Sequence, residues 1–414
     1  MRTYAELFRV PGFTPLFVAS SARAAASTVS GLALGTLVYS STRSALLSAL
    51  AMFGPSLAQV AGASALLSAA DRLPPRAAMT GLSLVSGLGT AAQAIPGLAL
   101  SWIFAADLGL GVLASLDGGV RYGLLNEIVP ADGYLLGRSV MNMSAGLMLT
   151  CGYAVGGVLV TALSPRGALL ASAVLYLVSA ACARLGLARR SPRAAGRRPT
   201  AAQTWRNNVA LLASAPRRYI YLALWVPNGL IVGCESLFVA YSPRHAGALF
   251  AFAAAGMLAG DTLAGRFVPA QWRDRLAPWL RLLLAGPYLI FAAHPVLAVA
   301  CAACAVASVG YSATLMLQQH LMALTPDELS GHALGLHSSG MLAMQGVAAA
   351  LAGTIAQQTS PAAAIAVMAV ASVTVTLALA PRLRPNAGQS VHPRSVPAGR
   401  PPVPIPRYPE HDVR

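Results

Sequence analysis

Long apolar stretches fill the chain, and short segments with proline, glycine or arginine separate them. Hydrophobic residues make up 56% of the 414 residues and charged residues only 10%, whereas a soluble domain carries about 25% charged residues. So few polar side chains cannot cover a water-soluble globule. The pattern excludes soluble enzymes and disordered chains and predicts an all-α polytopic membrane protein.

The charge is strongly basic, with a formal net charge of +16, and every one of the 29 basic residues is arginine. These arginines lie between apolar stretches and form no continuous stripe, so we expect the lipid bilayer as a partner and no nucleic acid.

A helix needs about 20 apolar residues to cross a hydrocarbon core of about 30 Å. The sequence holds twelve such stretches, six in each half. They cover Thr14–Val38, Ala45–Leu67, Ala77–Ile95, Leu98–Leu116, Leu135–Leu163, Ala168–Leu187, Tyr219–Ala240, Ala246–Phe267, Leu276–Ala293, Val296–Leu324, Ala333–Gln357 and Ala362–Ala380. Only Pro96 and Gly97 separate the third stretch from the fourth, so eleven spans is the alternative.

Four regions follow from this pattern. Residues 1–187 form an amino-terminal six-helix bundle, 188–218 a basic cytoplasmic loop, and 219–380 a carboxyl-terminal six-helix bundle. Residues 381–414, rich in proline and arginine, form a disordered cytoplasmic tail. The first stretch has full spanning length, which favours a retained span over a cleaved signal peptide.

Arginine placement predicts the orientation, because cytoplasmic loops of membrane proteins are enriched in basic residues. With both termini in the cytoplasm, 25 arginines lie on the cytoplasmic side and three on the outer side, at 43, 166 and 244. We therefore expect a multi-pass protein of the cytoplasmic membrane. The arginine-rich segments could also contact anionic lipid.

The second half repeats the first at an offset of 194 residues. Pairs from two separate regions share this offset, namely Arg72 with Arg266, Pro75 with Pro269, Gly137 with Gly331, Gly146 with Gly340 and Gly152 with Gly346. Two parallel halves of this kind place a substrate site near the membrane midplane between them.

The sequence resembles the major facilitator superfamily, specifically its twelve-helix bacterial drug-efflux type. Residues 71–76, Asp-Arg-Leu-Pro-Pro-Arg, are similar to the superfamily's Gly-x-x-x-Asp-Arg-x-x-Arg signature, with Leu67 in place of the glycine. Residues 152–157 resemble the Gly-Pro-x-x-Gly-Gly antiporter motif, with Tyr153 in place of the proline. The resemblance implies two pseudo-symmetric six-helix bundles.

The resemblance also implies a charged latch that closes the cytoplasmic side in one conformation. It assigns this role to Asp71, with Arg72 and Arg76 as supporting charges, and their expected partners are Asp117, Arg121 and Glu127. The repeat suggests a second latch with Asp261 and Arg266. The alternative is that these residues cap loops and set orientation.

The glycines of the antiporter-like motif allow close helix approach. In the superfamily this stretch packs against the other half and governs its movement. We expect this role, or packing alone, for Gly152, Gly156 and Gly157.

Ionisable groups within the bilayer are costly and therefore informative. Arg23 lies in the first span and Asp107 in the fourth, and we expect them to pair. Asp107 is then either a proton-coupling or substrate-cation site, or one member of a permanent structural pair. Glu235 is the second candidate acid.

A set of polar residues is expected to line one amphipathic cavity. It comprises Arg23, Gln59, Gln93, Trp102, Asp107, Asn142, Trp225, Asn228, Glu235, Tyr311 and Gln345. His320, His332 and His337 are interpreted as polar helix contacts or a proton relay, and a metal site is disfavoured. Cys301 and Cys304 are interpreted as buried small residues.

These observations favour a secondary transporter, without a cofactor or enzymatic activity, that acts as a monomer. We expect alternating access and export of a small, amphipathic organic solute in exchange for protons. An importer or facilitator of the same fold is the alternative. A transport-inactive receptor and a membrane enzyme are remote alternatives.

The predicted orientation can be tested with single cysteines in a variant that lacks the five native ones. In intact cells, a membrane-impermeant maleimide should label Ser164→Cys, on the outer side, and leave Ser191→Cys unlabelled until the membrane is opened. Labelling of Ser191→Cys alone would reverse the orientation.

Overall fold

The computed structural model describes residues 3–66, 73–130, 132–191 and 201–383. Within these ranges the regular elements are all helical, as predicted. The first half contributes six long helices: α1 (Phe13–Thr42), α2 (Ala45–Leu66), α3 (Pro75–Gln93), α4 (Leu100–Ile128), α5 (Tyr134–Leu163) and α6 (Pro165–Gly186).

The second half repeats this arrangement, with three of its helices interrupted. Its members are α7 (Ala215–Ser236, continued by Phe238–Tyr241), α8 (Ala246–Phe267), α9 (Ala270–Leu283, continued by the 3-10 segment Gly286–Ala293), α10 (Leu297–Val309 and Ala313–Ala323, joined by the 3-10 turn Gly310–Ser312), α11 (Ser330–Gln358) and α12 (Pro361–Leu379). Two short helices, Tyr4–Phe8 and Ala201–Ala213, lie outside this set.

Ten of the twelve described helices are long and apolar enough to cross a membrane, so the chain is a multi-pass membrane protein. The other two, α1 and α3, carry many small and hydroxyl side chains. Those side chains point into the bundle: Ser20 and Thr28 of α1 and Ser83 and Ser86 of α3 are all buried. Packing against neighbouring helices therefore compensates for their lower hydropathy.

Two features of the structure differ from the sequence prediction. Helix α4 continues to Ile128, twelve residues beyond the predicted end at Leu116. Residues 201–213 form a helix within the segment predicted as a loop, and its Leu211 is fully buried. Of the predicted tail, only residues up to 383 are described.

The internal repeat is visible in the helix positions. Shifted by 194 residues, α5 would cover 328–357, which matches Ser330–Gln358 to within two residues. A Ser-Pro pair opens the last helix of each half, where the hydroxyls of Ser164 and Ser360 accept hydrogen bonds from the backbone N–H of Gly167 and Ala363. A serine N-cap followed by proline is a strong helix start.

The helices alternate in direction, so the bundle has two faces. The terminal face is defined here as the face where α1 and α7 begin and where α6 and α12 end. The opposite face is where α1 and α7 end. The largest buried apolar cluster lies in the second half and includes Phe238, Tyr288 and Phe291.

The two halves meet through α5 with α8 and α2 with α11. On the opposite face, Tyr39 donates a hydrogen bond to the Ala240 carbonyl over 3.3 Å, and the amide of Gln357 donates to the Ser44 hydroxyl. Slightly deeper, the ring of Tyr153 stacks on Phe250 with centroids 4.6 Å apart. These contacts close the gap between the halves on the opposite face.

The predicted glycine motif of α5 contacts two different helices. Gly152 and Gly156 pack on α1 of the same half, against Thr28 and Val29. Gly157 instead meets Gly247 of α8 in the other half, and an added Cβ would come within 2.9 Å of the Gly247 Cα. The motif therefore joins α5 to α1 as well as to the second half.

We expect Gly157→Ala to destabilise the protein by about 1–3 kcal/mol, because the new methyl group overlaps the α8 backbone. Gly109→Ala is the matched control, since nothing lies within 4 Å of its Cβ position and alanine is the better helix former. Thermal unfolding of the purified proteins in detergent should give a lower transition temperature for Gly157→Ala only. Equal transition temperatures would show that the Gly157–Gly247 contact contributes little to stability.

Candidate functional site

Most of the residues predicted to line one cavity line two separate ones. The N-half cavity, about 350 Å³ in volume, lies among α1, α2, α3, α4 and α6. The interface cavity, about 420 Å³, lies between the halves, among α2, α5, α7, α8, α10 and α11. The two cavities differ in the chemistry of their walls.

The N-half cavity is polar and contains both signs of charge. Its charged and amide lining residues are Arg23, Gln59, Gln93, Asp107, Asp117 and Arg121. Several serine hydroxyls complete the wall, at positions 20, 27, 30, 56 and 86.

Arg23 forms an ion pair with Asp117, and the Nε–Oδ1 distance is 2.9 Å. Its guanidinium also donates to the Ser86 hydroxyl over 3.4 Å and lies 5.7 Å from the centre of the Tyr176 ring. The prediction that Arg23 pairs with Asp107 is therefore wrong. Asp117, predicted as a partner of the latch, is instead the partner of Arg23 in this structure.

The length of α4 explains the difference. Arg23 lies ten residues after the start of α1, and Asp117 lies eleven residues before the end of α4. At about 1.5 Å per residue, both are about 15 Å from the terminal face, whereas Asp107 lies about 15 Å deeper. The predicted end of the fourth span at Leu116 placed Asp117 outside the membrane.

Asp107 consequently has no cationic partner in the described part of the chain. Its carboxyl group interacts with the amide of Gln93, while its Oδ2 is buried and has no hydrogen-bond partner among the described residues. Burying an unpaired carboxylate is costly, and a bound proton removes that cost.

The interface cavity combines aromatic and acidic walls. Phe53, Tyr153, Phe250 and Tyr311 supply rings, and Glu235 and Asp261 supply the carboxyl groups. The amides and imidazole come from Asn228, Gln318, His337 and Gln345. The lining residues include no arginine.

Glu235 is the buried acid of this cavity, with 8% of its surface exposed. Its Oε1 accepts a hydrogen bond from the Tyr288 hydroxyl over 3.3 Å. It lies at the last turn of α7, immediately before the break at Leu237. Tyr288 is not among the predicted site residues, because it lies in an apolar segment with the composition of an ordinary membrane span.

His337 lies on the wall of the interface cavity that α11 contributes. Its Nε2 is 3.0 Å from the amide nitrogen of Gln318, and its Nδ1 is buried without a partner among the described residues. The indole of Trp225 donates to the His337 carbonyl over 3.1 Å. No group of three potential metal-binding side chains occurs in the described ranges.

Several predicted residues lie outside both cavities. Trp102 is 68% exposed, and Asn142 accepts a hydrogen bond from the Tyr122 hydroxyl over 2.7 Å. Trp225 contacts α11 but does not line the cavity. Cys301 and Cys304 are buried, free thiols within α10.

The latch residues are only partly described. Asp71 and Arg72 lie outside the described residues. Arg76 lies at the start of α3, and the guanidinium of Arg121 lies 4.7 Å from the centre of the Tyr122 ring.

In the second half, Asp261 lines the interface cavity from α8, and the guanidinium of Arg266 lies 5.9 Å from the centre of the Phe267 ring. Because Asp71 and Arg72 are not described, the latch stays a prediction.

Three solved transporter structures are similar to this architecture. A POT family transporter in complex with 5-aminolevulinic acid matches with a TM-score of 0.69 at 11% identity, over 89% of this chain and 95% of that one. A bacterial homologue of the human lysosomal transporter Spinster, in an inward-facing and unoccupied conformation, matches with a TM-score of 0.68 at 12% identity, over 90% and 95%.

The peptide transporter POT in complex with sulfate matches with a TM-score of 0.68 at 15% identity, over 92% of this chain and 99% of that one. No family model matches the sequence, and no curated protein matches it. The chain therefore has the major facilitator fold of twelve helices in two six-helix halves.

The identity of the Arg23 partner gives a stability prediction. Asp117→Asn leaves a largely buried guanidinium without its counter-charge, so we expect a loss of roughly 2–4 kcal/mol. Asp107→Asn removes no ion pair and should cost much less. Transition temperatures in detergent would compare the two, and the double variant Arg23→Gln with Asp117→Asn should recover part of the loss. A larger effect of Asp107→Asn would contradict the Arg23–Asp117 pair.

Proposed function

We propose that the protein is a secondary transporter that exports a small, amphipathic organic solute in exchange for protons by alternating access. The observation that carries the proposal is the interface cavity, which lies between two halves joined on the opposite face and contains the buried acid Glu235. A site between two rocking halves is the arrangement that alternating access requires.

The cavity wall supports an amphipathic solute. Four aromatic rings offer an apolar surface, while the amides and carboxyl groups offer hydrogen-bond acceptors. With two acids and no arginine among the lining residues, the wall favours a solute that carries an amine or another donor group. The solved neighbours bind different ligands. We therefore infer the class of solute from the side chains that line the interface cavity of this chain.

Two acids can couple transport to protons. Glu235 reaches the solute cavity directly, whereas Asp107 lies in the separate N-half cavity without a cationic partner in the described ranges. An acid that binds a solute in one state and a proton in the other makes the two ligands compete. Glu235 is therefore the first candidate for coupling and Asp107 the second.

The contacts between the halves suggest how the movement occurs. The α5–α8 contact at Gly157 and Gly247 and the α2–α11 contact lie between the midplane and the opposite face. Opening that face requires these contacts to separate while the terminal face closes. In this proposal Asp71, Arg72 and Arg76, with Asp261 and Arg266 in the second half, hold the terminal face closed.

The direction of transport rests on the drug-efflux resemblance and the orientation on the arginine distribution. We therefore propose a protein of the cytoplasmic membrane with both termini inside, and a monomer as the transporting unit.

The test is solute flux in inverted membrane vesicles with an acidic interior, using a panel of fluorescent cationic and neutral solutes. We expect uptake of a cationic solute that depends on the pH gradient, and at least a tenfold loss of that dependence, about 1.4 kcal/mol, in Glu235→Gln. Asp107→Asn is measured in parallel. Glu328→Gln is the matched control, because Glu328 is an exposed acid outside both cavities.

If Asp107→Asn alone removes the dependence, the coupling acid lies in the N-half cavity. If flux persists without a gradient and both variants transport like the control, the proposal of proton coupling is wrong. The protein would then be a facilitator or an importer.

A further inference from the structure

A third cavity lies on the terminal face, away from the N-half cavity and the interface cavity. It is a groove of about 540 Å³ where α3 begins and α6 ends. Four of the side chains that line it are arginines, and the other lining residues are small or proline. The groove is lined by Pro74, Arg76, Ala77, Arg184, Arg189, Arg190 and Ser191.

The positive charge of the groove is mostly uncompensated within the described ranges. Arg190 pairs with Glu127 at 3.7 Å and donates to the Glu127 carbonyl over 3.3 Å. Arg76, Arg184 and Arg189 form no ion pair with any described carboxylate. Three guanidinium groups around one concave surface repel each other, and an anion bound between them would remove that repulsion.

Guanidinium groups match phosphate oxygens in geometry as well as in charge, because each can donate two parallel hydrogen bonds. The groove is therefore suited to a phosphate group, which could belong to a lipid headgroup or to a free phosphate ion.

The surroundings of the groove favour a lipid. Leu73 and Leu185, which adjoin the lining residues Pro74 and Arg184 in sequence, are 42% and 85% exposed. Leu185 lies on the last turn of a membrane-spanning helix, at the depth where acyl chains meet headgroups. A phospholipid would place its phosphate among the arginines and its chains against these leucines.

We propose that this groove is a binding site for the phosphate group of an anionic phospholipid. The proposal is independent of the transported solute and of proton coupling, because no residue of the groove lines the N-half cavity or the interface cavity. It assigns Arg184 and Arg189 a specific role beyond their contribution to membrane orientation, and it gives Arg76 a second role besides the latch proposed above.

The test is lipid binding to the full-length protein in a non-ionic detergent, measured by native mass spectrometry. The probe is dioctanoyl phosphatidylglycerol, with dioctanoyl phosphatidylcholine and inorganic phosphate in parallel. The triple variant Arg76→Gln, Arg184→Gln, Arg189→Gln should bind the anionic lipid more weakly, by roughly fivefold per arginine and on the order of a hundredfold in total.

The charge-matched control is Arg206→Gln, Arg218→Gln, Arg275→Gln, which removes three exposed arginines from the terminal side of the second half. It should keep the affinity of the unmodified protein to within about twofold. A second triple variant with lysine at positions 76, 184 and 189 keeps the charge but loses the bidentate geometry, so its affinity should lie between those of the unmodified protein and the glutamine variant. An unchanged unfolding temperature of the glutamine variant in detergent would show that its weaker binding does not come from misfolding.

Three results would overturn the proposal. Equal losses in the glutamine variant and the charge-matched control would indicate attraction to the whole basic face. Equal binding of phosphatidylcholine would show that the anionic headgroup is not recognised. Inorganic phosphate bound as tightly as the lipid would make the site one for free phosphate.

Discussion

Hydrocarbon offers no hydrogen-bond partners, so each span must satisfy its own backbone groups and turn its polar side chains inward. The rest of this structure depends on that constraint. Helices α1 and α3 carry many hydroxyl groups and still cross the bundle, because packing buries those groups and several of them hydrogen-bond to neighbouring helices. The hydroxyl of Ser83 in α3 lies 3.0 Å from that of Ser179, and the hydroxyl of Ser21 in α1 lies 2.6 Å from that of Ser144.

The same constraint makes each buried charge informative. Arg23 is tolerated because Asp117, Ser86 and the Tyr176 ring surround it. Asp107 and Glu235 have no cationic partner of this kind within the described ranges, and each adjoins a cavity. A paired charge stabilises one arrangement of helices, whereas an unpaired acid next to a cavity can exchange a proton. This difference separates the structural charge from the candidate coupling groups.

Close helix approach provides the second organising interaction. Small residues along α5 allow it to contact α1 through Gly152 and Gly156 and α8 through Gly157. The first contact stays within one half and the second crosses to the other. A single motif thus contributes both to the packing of one bundle and to the contact between the halves.

The sequence by itself determined the class of protein, the twelve spans and the repeat. The length of the apolar stretches and the glycine, proline and arginine residues between them are local signals. It also identified Arg23, Asp107 and Glu235 as groups of interest, since a charge within an apolar stretch is visible without any structure.

Only the tertiary structure decided which groups meet. The charges at 117 and 121 predicted the end of a span, yet α4 continues past them. The partner of Arg23 is therefore Asp117 and not the predicted Asp107. The expected single cavity became two, because the direction of a side chain depends on helix rotation and packing, which apolar runs do not encode. The sequence predicted neither the hydrogen bond from Tyr288 to Glu235 nor the groove around Arg184. The reason is the same, because residues far apart in the chain become neighbours only when helices pack.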